Sequence, residues 1–308
     1  MMMLSRTAAQ LYWMSRYMER AENLARLLDV THSLSLLPQS RGGADIAAAL
    51  ATTGALDACR ARHPALAASD VLHFMTFDAA NPASIISCLK YARENAHAVR
   101  GKITGEMWES INASWLEARQ MASEGRPLAG FFDWVKERSH LFRGTTYGTI
   151  QRNDAFSFIR LGTFLERADN TARLIDVKSH LIGHELDDSA ADFYLWGALL
   201  RSLGAFEAYH ELYRDTLSAR RVAELLILRP DVPRSLRACV DEIAELLPRI
   251  QGDTGHRAKR LAATLHAELS YDQIDNILAG GLHSYLAQFL SQIHALGDAV
   301  HGAYLEAA

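Results

Sequence analysis

Arg16-Tyr17-Met18-Glu19-Arg20-Ala21-Glu22-Asn23-Leu24-Ala25-Arg26-Leu27-Leu28-Asp29-Val30 is the stretch on which the reading of the fold turns. Neither glycine nor proline interrupts it, and Tyr17, Ala21, Leu24, Ala25 and Leu28 fall on one side at helical spacing. It returns as Phe164-Leu165-Glu166-Arg167-Ala168-Asp169-Asn170-Thr171-Ala172-Arg173-Leu174-Ile175-Asp176-Val177, with a constant separation of 147 positions (Glu19 to Glu166). A fainter echo pairs Pro82-Ala83-Ser84-Ile85 and Cys88-Leu89 with Pro233-Arg234-Ser235-Leu236 and Cys239-Val240, 151 positions on (Pro82 to Pro233). Two echoes in the same order and near-equal register point to an internal duplication.

Working outward, the pattern is helical throughout. Residues 4–37 read as one helix stopped by Pro38, followed by a loop at Ser40–Gly43. Helices are expected over Asp45–Arg62, Asp70–Phe77, from Pro82 to Arg100 with the proline at an early helical position, and over Ile103–Ala122. In the last of these, Trp108 and Trp115 stand seven apart, which predicts a shared buried face. Gly130 to Gly144 reads as a short aromatic helix ended by glycine, and Thr145 to Arg152 as a hydroxyl-rich loop. Asn153 or Asp154 then caps a second charged helix reaching Ile182. Further helices are expected over 188–214, 218–229, 234–249, 256–269 and 273–305, with Gly280-Gly281 as a break or kink in the last. No segment alternates with the period of two that marks a strand. The expected fold is all-α: one domain over 1–308, a multi-helix bundle of two pseudo-repeated halves, about 4–150 and 151–308, sharing a core.

Composition narrows the function. The 308 residues are 49% hydrophobic and 22% charged with net charge −4, and the basic residues are dispersed, which disfavours nucleic-acid binding. No run approaches the ~20 apolar residues of a spanning helix. Charged residues near the amino terminus interrupt any secretory signal, and three cysteines without a Cys-x-x-Cys spacing fit a reducing compartment, so a cytoplasmic location is expected.

The polar chemistry gathers on the repeated helices. Arg16, Glu19, Arg20, Asn23 and Arg26 share one side of the first, interleaved with Leu27 and Val30, while Glu22 and Asp29 lie further round. Glu166, Arg167, Asn170 and Arg173 repeat the arrangement with Leu174 and Val177. Aliphatic residues within a charged stripe imply partial burial, and buried charges must pair. Two readings follow. In one, the copies lock the fold through ion pairs and amide hydrogen bonds. In the other, guanidiniums remain to grip a carboxylate or phosphate. Acid–base catalysis by the glutamates is disfavoured, because adjacent arginines stabilise the carboxylate and make it a poor proton donor. Arg143, with Thr145, Thr146, Thr149 and Arg152 ahead of a helix start, forms a second anion-binding candidate.

Glu94-Asn95-Ala96-His97 and Glu207-Ala208-Tyr209-His210, taken with Glu19 and Glu166, reproduce the ligand order of di-iron carboxylate bundles. The spacing argues against it: 75 positions separate Glu19 from Glu94 but only 41 separate Glu166 from Glu207, whereas duplicated ligands should share one offset. His180 and His184 could chelate a metal on a helix, but the intervening Gly183 favours a fraying end. No nucleophile elbow, phosphate loop or dinucleotide fingerprint is present. No metal and no cofactor is expected.

At the paired Glu-Arg segments the chain resembles the bacterial alpha-E family, an all-helical domain named for that motif. The resemblance extends to Glu94-Asn95-Ala96, Met107-Trp108-Glu109, the Gly130–Gly144 block and Pro233-Arg234-Ser235-Leu236, and so spans essentially the whole sequence. His97 departs from it, standing where arginine is more usual. The resemblance implies a companion of a circularly permuted ATP-grasp protein, with transglutaminase-like proteins as frequent neighbours, and hence amide or peptide synthesis. It supplies no catalytic residue. The expectation is therefore an accessory or binding subunit without catalysis of its own, with the arginines holding an anionic group; the alternative is a stand-alone di-iron enzyme.

Overall fold

The computed structural model describes residues 3–35, 50–124, 128–182, 190–252 and 254–306. Among them every regular element is helical, and the protein is an all-α, multi-helix bundle. Pro38, the Ser40–Gly43 loop and the start of the expected 45–62 helix lie outside the described residues. Two compact units divide the chain, Met3–Thr163 and Phe164–Ala308. The division falls inside a helix rather than at the loop near residue 150.

In the first unit α1 (Ser5–Ser35) packs against α4 (Ile85–Ala98) and α6 (Leu128–Thr149), and α5 (Gly105–Glu124) lies against α4 and α6. The shorter α2 (Leu56–Arg62) and α3 (Ala68–Thr76) lie between α1 and α4 in the chain. Leu11, Met14, Met18, Leu24 and Leu28 of α1 are buried, as are Ile85 and Leu89 of α4 and Phe132 and Val135 of α6. Each such side chain contributes about 1.5–3 kcal/mol of burial energy. That outweighs the weak amphipathicity of α1, which is enclosed on several sides by its neighbours.

α7 (Asp154–Ile182) begins where Asn153 Oδ1 accepts the amide hydrogen of Ala155 at 3.0 Å, as its position before the charged helix predicts. From Asp154 to Ala168 every residue is buried. At Gly162 a Cβ would collide with the Tyr12 carbonyl and the Ser15 hydroxyl, so glycine is what lets the first turns of α7 lie directly on α1.

In the second unit α8 (Ala190–Ser202) and α9 (Phe206–Tyr213) are followed by α10 (Ala219–Leu228), α11 (Leu236–Leu246), a 3₁₀ turn at Leu247–Arg249, α12 (His256–Tyr271), α13 (Ile274–Ala279) and α14 (Leu282–Val300). α11 packs on α10 and α12, and α14 on α12 and α13.

Several boundaries differ from expectation. The 45–62 helix is broken at Gly54, whose φ of +68° ends the turn, and the 188–214 helix at Gly204, with φ +61°. Gly281, at φ +89°, makes the expected break before α14. Pro82 precedes its helix: Ser84 caps α4 by accepting from Ser87 N–H, as Ser235 caps α11 by accepting from Ala238 N–H at 3.0 Å. Trp108 and Trp115 are only half-buried; the buried face of α5 is Met107, Ser110, Ile111, Ser114 and Ala118. The largest difference is the 145–152 segment. α6 continues to Thr149, because Thr145, Thr146 and Thr149 turn their hydroxyls back onto carbonyls one turn earlier, at 2.7–3.0 Å, and Gly144 stays helical.

Candidate functional site

The candidate residues sit on three helices, α1, α6 and α7. In the first unit Glu19 and Glu22 lie on the side of α1 covered by α6 and are 2% and 0% exposed. Arg143 of α6 reaches both: Nη1 is 3.2 Å from Glu19 Oε2 and also binds Glu22 Oε2. Ser139 Oγ, one turn earlier, donates to Glu22 Oε2 at 2.7 Å. Arg26 closes on the other oxygen of Glu22 at 2.9 Å from within α1, and donates to His140 Nε2 at 3.3 Å. Further along, Asp29 meets Lys136 Nζ at 2.8 Å. The ammonium of Lys136 is pushed up in pKa: hydrogen bonds to Asp133 and Asp29 overcome a desolvation that by itself would lower it.

These contacts form a charge clasp between α1 and α6. Carboxylates this deep survive only because each accepts charge-assisted hydrogen bonds. Arg16 and Arg20 are held differently. Arg16 donates to the Tyr12 hydroxyl at 3.1 Å and lies 5.1 Å from the centre of the Trp13 ring, while Arg20 lies 5.7 Å from that of Tyr17. Asn23 is buried, with 4% exposure.

In the second unit Glu166 and Arg167 are buried, and Arg167 donates to the Pro233 carbonyl at 3.2 Å with its guanidinium 5.2 Å from the Phe164 ring centre. Thr171 Oγ1 donates to the Arg234 carbonyl, so the loop before α11 is pinned to α7 by two side chains. Arg173 grips Asp169 through two nitrogens at 2.9 and 3.2 Å, and His294 of α14 approaches the same carboxylate at 2.7 Å. Asp176 meets His283 Nδ1 at 2.6 Å. Asn170 is half-buried on the same helix.

The segment of the second anion-binding candidate is helical to Thr149 rather than a loop. Arg143 is engaged by the two glutamates, the three threonine hydroxyls are bonded within α6, and Arg152 donates to the Ile150 and Tyr147 carbonyls while stacking 4.2 Å from the Phe156 ring centre. Nor do the Glu-x-x-His pairs assemble ligands within their units. Glu94 is half-exposed beside Lys90, His97 faces Trp108 at 5.6 Å, and His210 packs 4.6 Å from Phe206. Among the described residues no three His, Cys, Asp or Glu side chains gather as a metal site. His184 and the side chain of His180 lie outside the described residues.

Glu22, Ser139, Lys136, His140, His283 and His294 take part and are missed by the helical-face argument. A signal existed for the acids: an acidic residue recurs at 22/169 as at 29/176. The partners on α6 and α14 are visible only once the helices are packed.

A family model, Alpha-E, described as a predicted alpha-helical domain with a conserved ER motif, matches residues 3–305. The Glu19-Arg20 and Glu166-Arg167 pairs lie inside that match. Proteins of Mycobacterium bovis and of two strains of Mycobacterium tuberculosis, each described as uncharacterized, are 23% identical over 323 residues. The match takes in 94% of this chain but 35% of theirs, so the chain spans about a third of the length of these relatives. No solved structure matches. Among the described residues no helix is long and apolar enough to cross a membrane.

Proposed function

The chain belongs to the Alpha-E family, and on that premise we propose that it is a helical accessory subunit of an ATP-grasp-type amide or peptide ligase system, without catalysis of its own. The observation that carries the non-catalytic part is the clasp: Glu19 and Glu22 are committed to Arg143, Ser139 and Arg26. A carboxylate so held is a positioning group rather than a proton shuttle. The dependence on a partner is supported by the mycobacterial relatives, in which the matching stretch is about a third of a longer polypeptide.

In this reading Arg16, Arg20, Asn23, Arg26 and Arg143 of the first unit, oriented by Glu19, hold an anionic group of the ligase substrate, and Arg167, Asn170 and Arg173 of the second, oriented by Glu166, are a separate set able to do the same. The partner is a circularly permuted ATP-grasp protein, with a transglutaminase-like protein as a further associate. The buried cysteines Cys59, Cys88 and Cys239, which are not joined in disulfides, are compatible with work in the reducing cytoplasm.

The test is co-purification with an ATP-grasp protein encoded in the same genome, followed by amide-forming ATP turnover with and without the chain. A complex together with turnover that falls when the chain is removed is the expected result. Absence of a complex and unchanged turnover would sink the proposal.

A further inference from the structure

Charge is laid along α12 in the order that a helix disfavours. Ala258, Ala262, Leu265 and Leu269 are buried and turn one side of it into the second unit, where α11 and α14 cover it. The opposite side is exposed from the first turn to the last. Its first turn holds no acid and its last turn no base, and among the described residues no ion pair engages His256, Arg257, Lys259 or Arg260. A helix carries partial positive charge at its amino end and partial negative charge at its carboxyl end. Cations at the start and Glu268 near the end therefore both work against the dipole. Laid antiparallel on an identical helix, the same pattern becomes attractive at both ends.

The exposed positions are also symmetric about Thr264. Arg260 and Glu268 lie four residues either side of it, and Arg257 and Tyr271 seven either side. Four and seven are the spacings that keep residues on one helical face. A two-fold axis through Thr264 thus sets each Arg260 against the copy's Glu268 and each Arg257 against the copy's Tyr271 ring. Ala263 and Ala267 beside the axis are small enough for the helices to approach closely. Tyr271 is 87% exposed, and Glu268, which accepts from Gln292 Nε2 at 3.1 Å, has capacity for a further donor.

We propose that α12 is the contact between two copies of this chain, paired antiparallel about Thr264 through Arg260–Glu268 ion pairs and Arg257–Tyr271 stacking. One pair of 16-residue helices falls short of the ~1,200 Å² of a standard interface, so the dimer forms at high concentration and weakens with salt. It does not rest on the ligase assignment.

Sedimentation velocity of the full chain at low salt, up to about 300 µM, is expected to show a monomer–dimer equilibrium. Arg260→Glu and Glu268→Arg each set like charges face to face twice in the symmetric pair, and each is expected to weaken dimerisation at least tenfold. Both positions are exposed and both new residues are good helix formers, so the fold is kept, as circular dichroism checks. In an equimolar mixture of the two variants opposite charges meet again at both places, and association is expected to return at least to its original strength. A chain that stays monomeric throughout overturns the proposal and leaves the face to a different protein. A dimer that either variant leaves intact, or a mixture that does not restore association, overturns it as well.

Discussion

Arg143 Nη1 lies 3.2 Å from Glu19 Oε2, joining α6 to the centre of α1 across 124 positions of sequence. Glu19 is 2% exposed and the Arg143 side chain 24%, so the pair is anchored in the core and opens toward solvent at its basic end. Removing the arginine leaves two buried carboxylates short of a cation. We expect Arg143→Met to destabilise the protein by about 3 kcal/mol, the low end for breaking a buried pair, because part of the guanidinium is hydrated. Urea unfolding of the two proteins measures it. By contrast Arg173→Ala, in a pair 37% exposed on the basic side, should cost under about 1 kcal/mol.

Gly162 lies against the Tyr12 carbonyl, a backbone atom that cannot move aside. Gly162→Ala forces α7 away from α1, and the expected loss is about 3 kcal/mol despite the better helix propensity of alanine. An unchanged thermal midpoint for this variant would show that the helices do not approach this closely.

Polar helix caps give smaller effects. Asn153→Ala removes the acceptor of the Ala155 and Phe156 N–H groups and Ser218→Ala that of the Arg221 N–H, and each should cost about 1 kcal/mol. Ser235→Ala should cost nearer 2 kcal/mol, because the same buried hydroxyl also donates to the Arg229 carbonyl. Chemical denaturation with an unchanged slope is the check.

At alkaline pH the tyrosines of the second unit set a limit. Burial and the neighbouring Glu224 push the Tyr213 phenol up to about 12, and burial with Asp272 and Glu268 raises Tyr285 in the same direction. A raised pKa on an acid means that the folded state favours the neutral phenol. The contribution is complete below the ordinary tyrosine value near 10 and is lost as pH rises toward 12. Tyrosinate absorbance should therefore titrate late in the folded protein, and Tyr213→Phe should remove one of the late steps.

The helical fold was legible because α1 and α7 carry long uninterrupted runs of helix formers, and because Pro, Gly and Asn stand near most element ends. The misplacements have specific causes. Thr145, Thr146 and Thr149 suggested a loop by their composition, yet each hydroxyl found a carbonyl within its own helix. Trp108 and Trp115 suggested a buried face by their seven-residue spacing, yet Met107, Ile111 and Ala118 are what is buried. At the site, the helical wheel found Glu19 and Arg26 but set Glu22 aside, because it cannot foresee that α6 will lie on that side with Arg143 and Ser139. The partners of a buried charge come from tertiary packing, which the spacing along one helix does not contain.

The glutamates of α1 clasp α6, and a double-mutant cycle between Glu22 and Arg143 tests that most directly. Glu22→Gln, Arg143→Met and the double variant are unfolded in urea and the coupling energy is extracted. A coupling of about 2 kcal/mol is predicted, with the double variant much less destabilised than the two single changes added together. Additive effects, with coupling near zero, would show that Glu22 and Arg143 do not clasp the two helices.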